Sequence, residues 1–483
     1  MHTPLLALLL AFQVHHAQGF DDPPVATKHS ISIHGQKIAY TATAGYIPIR
    51  NTDGEIQGRM FFVAYSKDGA EAAKRPVTFA YNGGPGSASL WLHLGTIGPR
   101  RAQMNDDGSL PKPPYHLVDN QESWLPETDI VMIDAMGTGY SRLAKNDYAN
   151  AFYGPQADIS SFGEFIREYL SKYHRFSSPV FIAGESYGGI RSAGLSDYLL
   201  DHGTALSGVI IVSGTMNFQT LDTARGNDLP YIGFFPSFAT VAWYHKKLSP
   251  EMQAKSVEDV AHEAESFASG EYANALQRGS SLSDAEREHI ATRMSELIGI
   301  KETYILQSHL RVPEFRFFKE LLRDEGLTTG RYDARLTGKD ATEAGSGPEY
   351  DASDVAVTPV FYSCMAEYLS GELGYVSDLK YRMWNEDRGG WPDNSDGYLD
   401  TSDSLRQALN KNPYMKVMFC CGWYDLACPY FATRYSVNHM DLGAKQMANI
   451  SFHYYPAGHM MYIEKSARES LSKDVGAFIE GAK

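Results

Sequence analysis

The sequence predicts an α/β fold: a mixed, mostly parallel sheet flanked by helices, with a helical cap inserted into it. Two observations carry this reading. Residues 77–81, 130–134, 180–183 and 209–212 are short, mainly apolar runs separated by loops and helix-like stretches. Runs that lack polar–apolar alternation suit strands buried on both faces. From about Arg225 to Gly338 the texture changes to long polar–apolar mixtures, such as residues 250–268 and 283–298, which fit amphipathic helices. The expected division is residues 1–19 as an export signal, 20–224 as the first part of the core, 225–338 as the cap and 339–483 as the rest of the core.

Each element has its own local reason. Residues 5–14 are almost wholly apolar and Ala17-Gln18-Gly19 offers small residues at a cleavage point, as an export signal requires, although no Lys or Arg precedes the run. Ten apolar residues are too few to cross a bilayer of about 30 Å, so a periplasmic or secreted protein without a membrane anchor is expected after cleavage. Residues 30–68 alternate, with turn signals at His34-Gly35 and Asp53-Gly54, and predict antiparallel strands that open the sheet. In the cap, Ser283-Asp284-Ala285-Glu286 has the spacing of a capping box, in which serine and glutamate satisfy each other's free amides. Residues 416–421 and 450–455 return to core strands.

Composition narrows the function. Against 43 basic residues stand 58 acidic ones, for a net charge of -15, with no basic patch to attract nucleic acid or an anionic membrane. The four cysteines, Cys364, Cys420, Cys421 and Cys428, have neither the density of a disulfide framework nor the paired spacing of a zinc site. Cys420 and Cys421 are neighbours in a strand and point to opposite faces, so any bridge, of which one or two are allowed, does not join them. The stretch 393–397 has acidic residues out of register for a calcium loop and no closing glutamate, and reads as a turn. No metal or organic cofactor is called for.

The chemistry centres on Gly184-Glu185-Ser186-Tyr187-Gly188, which follows a strand and precedes a helix-compatible stretch. Glycines there permit a sharp turn that lifts the serine hydroxyl above the sheet. A serine hydroxyl needs a base to take its proton and a carboxylate to orient that base. His459 sits on the turn Pro456-Ala457-Gly458-His459 after one late strand, and Asp425 follows another through Gly422-Trp423-Tyr424. The chain order Ser, Asp, His is that of the α/β-hydrolases. Asn82-Gly83-Gly84-Pro85-Gly86, directly after the strand ending at Tyr81, can offer the amide of Gly84 to an oxyanion together with that of Tyr187. It lacks the Lys-Ser/Thr ending of a phosphate-binding loop.

These blocks, with Ser87-Ala88-Ser89-Leu90, Gly98-Pro99, Asp134 and Gly137-Thr138-Gly139-Tyr140-Ser141, occur in one order along most of the chain. In that order they resemble the serine carboxypeptidases, acid-active enzymes with an α/β-hydrolase core and a helical cap. The low cysteine content suits a bacterial-type member. The resemblance implies that Ser186, Asp425 and His459 form a catalytic triad. It also implies that Asn82 and Glu185 hold the terminal carboxylate of a peptide or protein C-terminus, with Glu185 donating when protonated. By the same resemblance Cys428 lines the site or is a buried structural thiol, and Met460 is packing or site wall.

Three departures are visible. Ser87 stands where the family has a disulfide-bonded cysteine, and Thr96 where it has a second carboxylate-binding glutamate; the sequence also reads Ser213-Gly214-Thr215 in place of a Gly-Asn-Gly. Side-chain preference is expected from apolar cap walls, with Tyr231, Phe234, Phe235 and Trp243 as candidates if they do not simply pack the core. The expected function is a serine-type carboxypeptidase working through a Ser186 acyl-enzyme at acidic pH. Its rivals are an esterase or acyltransferase with the same triad, and a non-catalytic stabilising partner that uses the hydrolase fold as a surface. The sequence does not decide the oligomeric state.

Overall fold

The computed structural model describes residues 17–386 and 397–483. All but the last three residues of the export signal, and residues 393–396 of the acidic turn, lie outside them. Nine strands follow one another across the main sheet: β1 (Val25–Ile33), β2 (Gln36–Arg50), β3 (Ile56–Lys67), β4 (Val77–Tyr81), β5 (Asp129–Ile133), β6 (Val180–Glu185), β7 (Gly208–Val212), β8 (Lys416–Gly422) and β9 (Ile450–Tyr455). Their spatial order is β1-β2-β3-β5-β4-β6-β7-β8-β9, and a short strand at Arg142–Leu143 pairs beside β3. The first three strands pair antiparallel, as does β3 with β5, and every pair from β5 onward is parallel.

Burial explains both textures in the sequence. Every residue of β4, β5, β6 and β7 is buried, because helices cover both faces. Pro155–Lys172 and Gly188–Asp201 lie on one side with Phe79, Tyr81 and Ile182, while Lys465–Ala482 and Ala352–Glu367 lie on the other with Ala80, Phe181 and Ile210. The outer strand β1 alternates exposed and half-buried positions over most of its length, as a strand with one wet face must. The four cysteines are free and buried, so no bridge forms where one or two were allowed. Cys420 faces one layer and Cys421 the other.

Between β7 and β8 the chain leaves the sheet for a group of helices. Its centre is Leu229–Tyr244, apolar around nearly its whole circumference, which is the pattern of a helix buried on all sides. Val257–Phe267 and Asp284–Ile298 pack against it. The second of these opens with the complete capping box, Ser283 Oγ accepting from the Glu286 amide and Glu286 Oε2 from the Ser283 amide at 2.8 Å. Among the described residues no helix is long and apolar enough to cross a membrane.

One buried cation ties these layers together beneath the carboxyl ends of the strands. Arg191, on the helix Gly188–Asp201, is fully buried; its guanidinium donates to both oxygens of Asp158 at 2.7 and 3.0 Å and to the Asn82 carbonyl at 2.8 Å. The rings of Phe162, Tyr81 and Tyr187 surround it at 4.1, 5.0 and 5.5 Å. Removing one member of such a pair strands a charge in an apolar interior. Arg191→Met is therefore expected to destabilise the protein by roughly 3–5 kcal/mol, read as a fall in the urea midpoint. Arg191→Met combined with Asp158→Leu should recover a large part of that loss.

Candidate active site

The parallel strands end along one edge, and the sequence places its chemical residues at those ends. β4 leads into Asn82, β6 into Ser186, β8 into Asp425 and β9 into His459. Ser186 has φ 61°, a left-handed backbone that non-glycine residues adopt at a cost of about 1–3 kcal/mol. Its amide donates to the Val212 carbonyl at 3.1 Å and its carbonyl accepts from the Gly189 amide at 2.8 Å, so bonds on both sides hold the strained turn. A side chain at Gly184 would meet the Gly188 carbonyl at 2.3 Å.

The loop after β4 lies directly on this turn. A Cβ on Gly83 would stand 2.4 Å from the Tyr187 amide nitrogen and 2.6 Å from the Glu185 carbonyl, so only glycine allows the two backbones to meet there. Ser186, Gly84, Asn82, Glu185, His459 and Met460 line a single cavity of about 380 Å³. The side chain of Tyr187 is buried behind it against Arg191.

His459 and Asp425 are joined by a 2.9 Å hydrogen bond from Nδ1 to Oδ2. That bond leaves Nε2 as the nitrogen able to take a proton. The other oxygen of Asp425 accepts from the amides of Ala427 and Cys428 at 2.7 and 2.9 Å, and the carboxylate is fully buried. The His459 amide donates to the Tyr332 carbonyl at 2.5 Å and the Tyr332 ring lies 5.3 Å from the imidazole. Burial disfavours a charged imidazole, but the charge and hydrogen bond of Asp425, followed by the charge of Glu185, outweigh it and hold the His459 pKa above its ordinary value.

Glu185 is buried at the base of the cavity. Its Oε1 accepts from Asn82 Nδ2 at 2.8 Å, while Oε2 has no hydrogen-bond partner. Burial pushes its pKa up to about 7, against the pull of His459 and the Asn82 bond. Asn82 is itself held on all sides, with its Oδ1 accepting from the Leu92 amide at 3.0 Å and its carbonyl from Arg191. The Tyr462 hydroxyl stands beside Glu185 and Asn82 but completes a well-aligned hydrogen bond with neither.

Other expected residues fall elsewhere. Cys428 is buried off the cavity lining with its thiol beside the Ser186 hydroxyl, and burial pushes the thiol pKa well up. Thr96 is fully buried, its hydroxyl unpartnered and outside the cavity wall. The four aromatic candidates for the substrate wall are corrected. Phe234 and Phe235 are core residues, the latter against Phe267 and Tyr272, while Trp243 donates to the Lys255 carbonyl and Tyr231 faces a different surface cavity. Their helix is apolar all round because it is the insertion's own core. The wall comes instead from Trp91, Arg331, Tyr332, Asp354, Val357 and Trp384, residues whose sequence surroundings carried no signal beyond the aromatic and charged types themselves.

A backbone test follows from the glycine contacts. Gly83→Ala should lower the rate of Ser186 labelling by a fluorophosphonate about 100-fold or more, the scale of losing an oxyanion donor. Gly188→Ala, whose Cβ would meet nothing closer than the Tyr81 carbonyl at 3.4 Å, should label within a few-fold of the wild-type rate. Equal rates for the two variants would show that the loop and the turn do not depend on their close contact.

The sequence model of the serine carboxypeptidase family matches residues 33–468. Serine carboxypeptidase-like 12 of Arabidopsis thaliana is 28% identical over 193 residues, covering 39% of this chain and 41% of that protein. Serine carboxypeptidase S10 family member 1 of Dictyostelium discoideum is 25% identical over 251 residues, covering 51% of this chain and 54% of that protein. The chain thus spans about half the length, or less, of these relatives. Among solved structures, the proline iminopeptidase of Mycobacterium smegmatis aligns at 14% identity and a TM-score of 0.41, covering 90% of this chain and 97% of that one.

Proposed function

The chain belongs to the serine carboxypeptidase family, and from that premise we propose that it releases C-terminal residues from peptides through an acyl-enzyme on Ser186. The observation that carries the reading is Glu185, a buried carboxyl with one unpartnered oxygen and a pKa raised to about 7, in the same cavity as Ser186 and His459. Protonated, it is a donor that a terminal carboxylate accepts from; ionised, it repels that carboxylate. Asn82 is the second donor of this clamp.

In the reaction Ser186 Oγ attacks the scissile carbonyl carbon and its proton passes to His459 Nε2. Asp425 fixes the imidazole and stabilises it once charged. The amides of Gly84 and Tyr187 receive the negative charge that forms on the carbonyl oxygen. The carbon–nitrogen bond breaks as His459 returns the proton to the leaving amine. Water, deprotonated by the same imidazole, then cleaves the ester and frees Ser186. The apolar segment 5–14 supports export as the location of this activity.

The buried Thr96 leaves the clamp with one carboxyl in place of the two expected from the resemblance, and this keeps an esterase or acyltransferase as the second reading. The two separate in one experiment, digestion of an N-blocked peptide and its C-terminally amidated twin followed by mass spectrometry, with Ser186→Ala as control. Stepwise loss of single residues from the free-acid peptide alone is expected. Failure to cleave either peptide by enzyme that still labels at Ser186 would move the assignment to esters.

The pH dependence has a definite sign. Glu185 binds its proton more tightly than an ordinary carboxyl, so the donor is present in acid and disappears as pH rises through about 7. The peptide kcat/KM is expected to fall across that range while turnover of a neutral ester falls less. Glu185→Gln, which keeps a donor at all pH values, should flatten the peptide limb. A parallel fall for peptide and ester in the wild-type protein would remove Glu185 from carboxylate binding.

A further inference from the structure

The cavity wall holds a cation that the mechanism above does not use. Arg331 is exposed and lines the same cavity as Ser186 and His459. No carboxylate among the described residues forms an ion pair with it, whereas Arg335, four residues on in the same loop, is held by both oxygens of Asp333 at 2.9 and 2.6 Å. Two acids that interact with it, Asp351 and Asp354, are otherwise engaged. Asp351 Oδ1 accepts from the Arg331 and Ser353 amides and the Ser353 hydroxyl, and Asp354 accepts from Thr358. Burial raises the Asp354 pKa, which lessens its charge in acid.

The backbone of Arg331 is fixed, and its guanidinium lies over the Tyr332 ring at 5.2 Å. Its amide donates to Asp351 at 3.1 Å, its carbonyl accepts from the Leu426 amide at 3.1 Å, and the next residue, Tyr332, holds the His459 amide. The loop therefore clasps the segments that carry Asp425 and His459, and delivers the guanidinium to a set position. Its charge acts on Cys428, His459 and Asp425. The clamp pair, Asn82 and Glu185, stands at the ends of β4 and β6, where Asn82 Nδ2 donates to Glu185 at 2.8 Å. Arg331 is thus bonded to the turn that carries Asp425 and Cys428, on a different segment from the clamp that would hold the terminal carboxylate.

We infer that Arg331 is a specificity-determining residue that receives the carboxylate of an acidic side chain on the acyl side of the scissile bond, so that peptides with a penultimate Glu or Asp are the favoured substrates. This rests on the carboxypeptidase reading. A guanidinium offers paired donors in a plane that matches a carboxylate, and an arginine already exposed in a cavity gives up no internal ion pair to bind one.

The test compares kcat/KM for N-blocked Glu-Phe with Gln-Phe, and for Phe-Glu with Phe-Gln, at about pH 5.5, where a free glutamate side chain is mostly ionised. The wild-type protein should favour Glu-Phe over Gln-Phe about tenfold or more, the size of one charge-assisted contact. Arg331→Met should slow Glu-Phe about tenfold more than Gln-Phe, and Arg331→Lys should keep part of the preference. No Glu-Phe preference in the wild-type protein, a Met variant that slows all four peptides alike, or a preference that appears only in the Phe-Glu pair each overturns the assignment. If no peptide is cleaved while Ser186 still labels, the carboxypeptidase reading fails on its own. The p-nitrophenyl esters of succinic and butyric acids then pose the same question, because their acyl groups occupy the same side. A preference for the succinic ester that Arg331→Met removes sustains the role, and its absence ends it.

Discussion

The buried guanidinium of Arg191 is the contact on which the geometry of the site depends. It bonds the carbonyl of Asn82 on the glycine-rich loop and belongs to the helix that begins two residues after Ser186. The glycine-rich loop and the Ser186 turn are thus two ends of one hydrogen-bonded unit, anchored below by Asp158. This matters because the turn is strained. A residue at φ 61° stays there only when its surroundings over-determine it, and the bond from Arg191 to Asn82 keeps the loop seated against the turn at Gly83. Arginine suits the place because its planar fork serves a carboxylate and a carbonyl at once while its faces pack on aromatic rings.

Above that frame, the proposed function turns on two buried groups that titrate against each other. Glu185 and His459 share the cavity, and each is shifted by the other's charge: the imidazolium favours the carboxylate, and the carboxylate favours the imidazolium. They behave as a pair with joint proton affinities. With one proton between them, only the arrangement that puts it on Glu185 leaves a donor for a carboxylate and a neutral base for Ser186. The reverse arrangement has neither. A substrate carboxylate placed against Glu185 disfavours the ionised acid most strongly, being in direct contact with it, and so draws the proton to the side where catalysis needs it.

Much of this was readable before the structure, and the reason is physical. Strands covered on two faces must be apolar nearly throughout, so β4, β5, β6 and β7 stand at or close to the bounds the sequence suggested, and glycine at a backbone contact cannot be replaced without collision. Such constraints leave marks in a single stretch of chain. The cavity wall leaves none, because Arg331 and Tyr332 reach the site from a loop almost 150 residues after Ser186 and nearly 130 before His459, with ordinary neighbours. The aromatic residues of the helix Leu229–Tyr244 misled for the converse reason. A helix apolar on every side looks like a source of pocket walls, but with no polar face it has to be enclosed.

The missing second glutamate shows how a local change is absorbed by shape. At this point the chain carries Gly95 and Thr96, and a Cβ on Gly95 would fall 2.2 Å from the ring of Tyr462. The absence of that side chain is what admits the ring, and the ring in turn brings a phenol to the back of Glu185 and Asn82. A phenol in this interior stays neutral, since burial drives its pKa well above the ordinary value. It presents a dipole there and no charge. Under the carboxypeptidase reading, carboxylate recognition at the base of the cavity would therefore rest on one acid, Glu185, titrating together with His459.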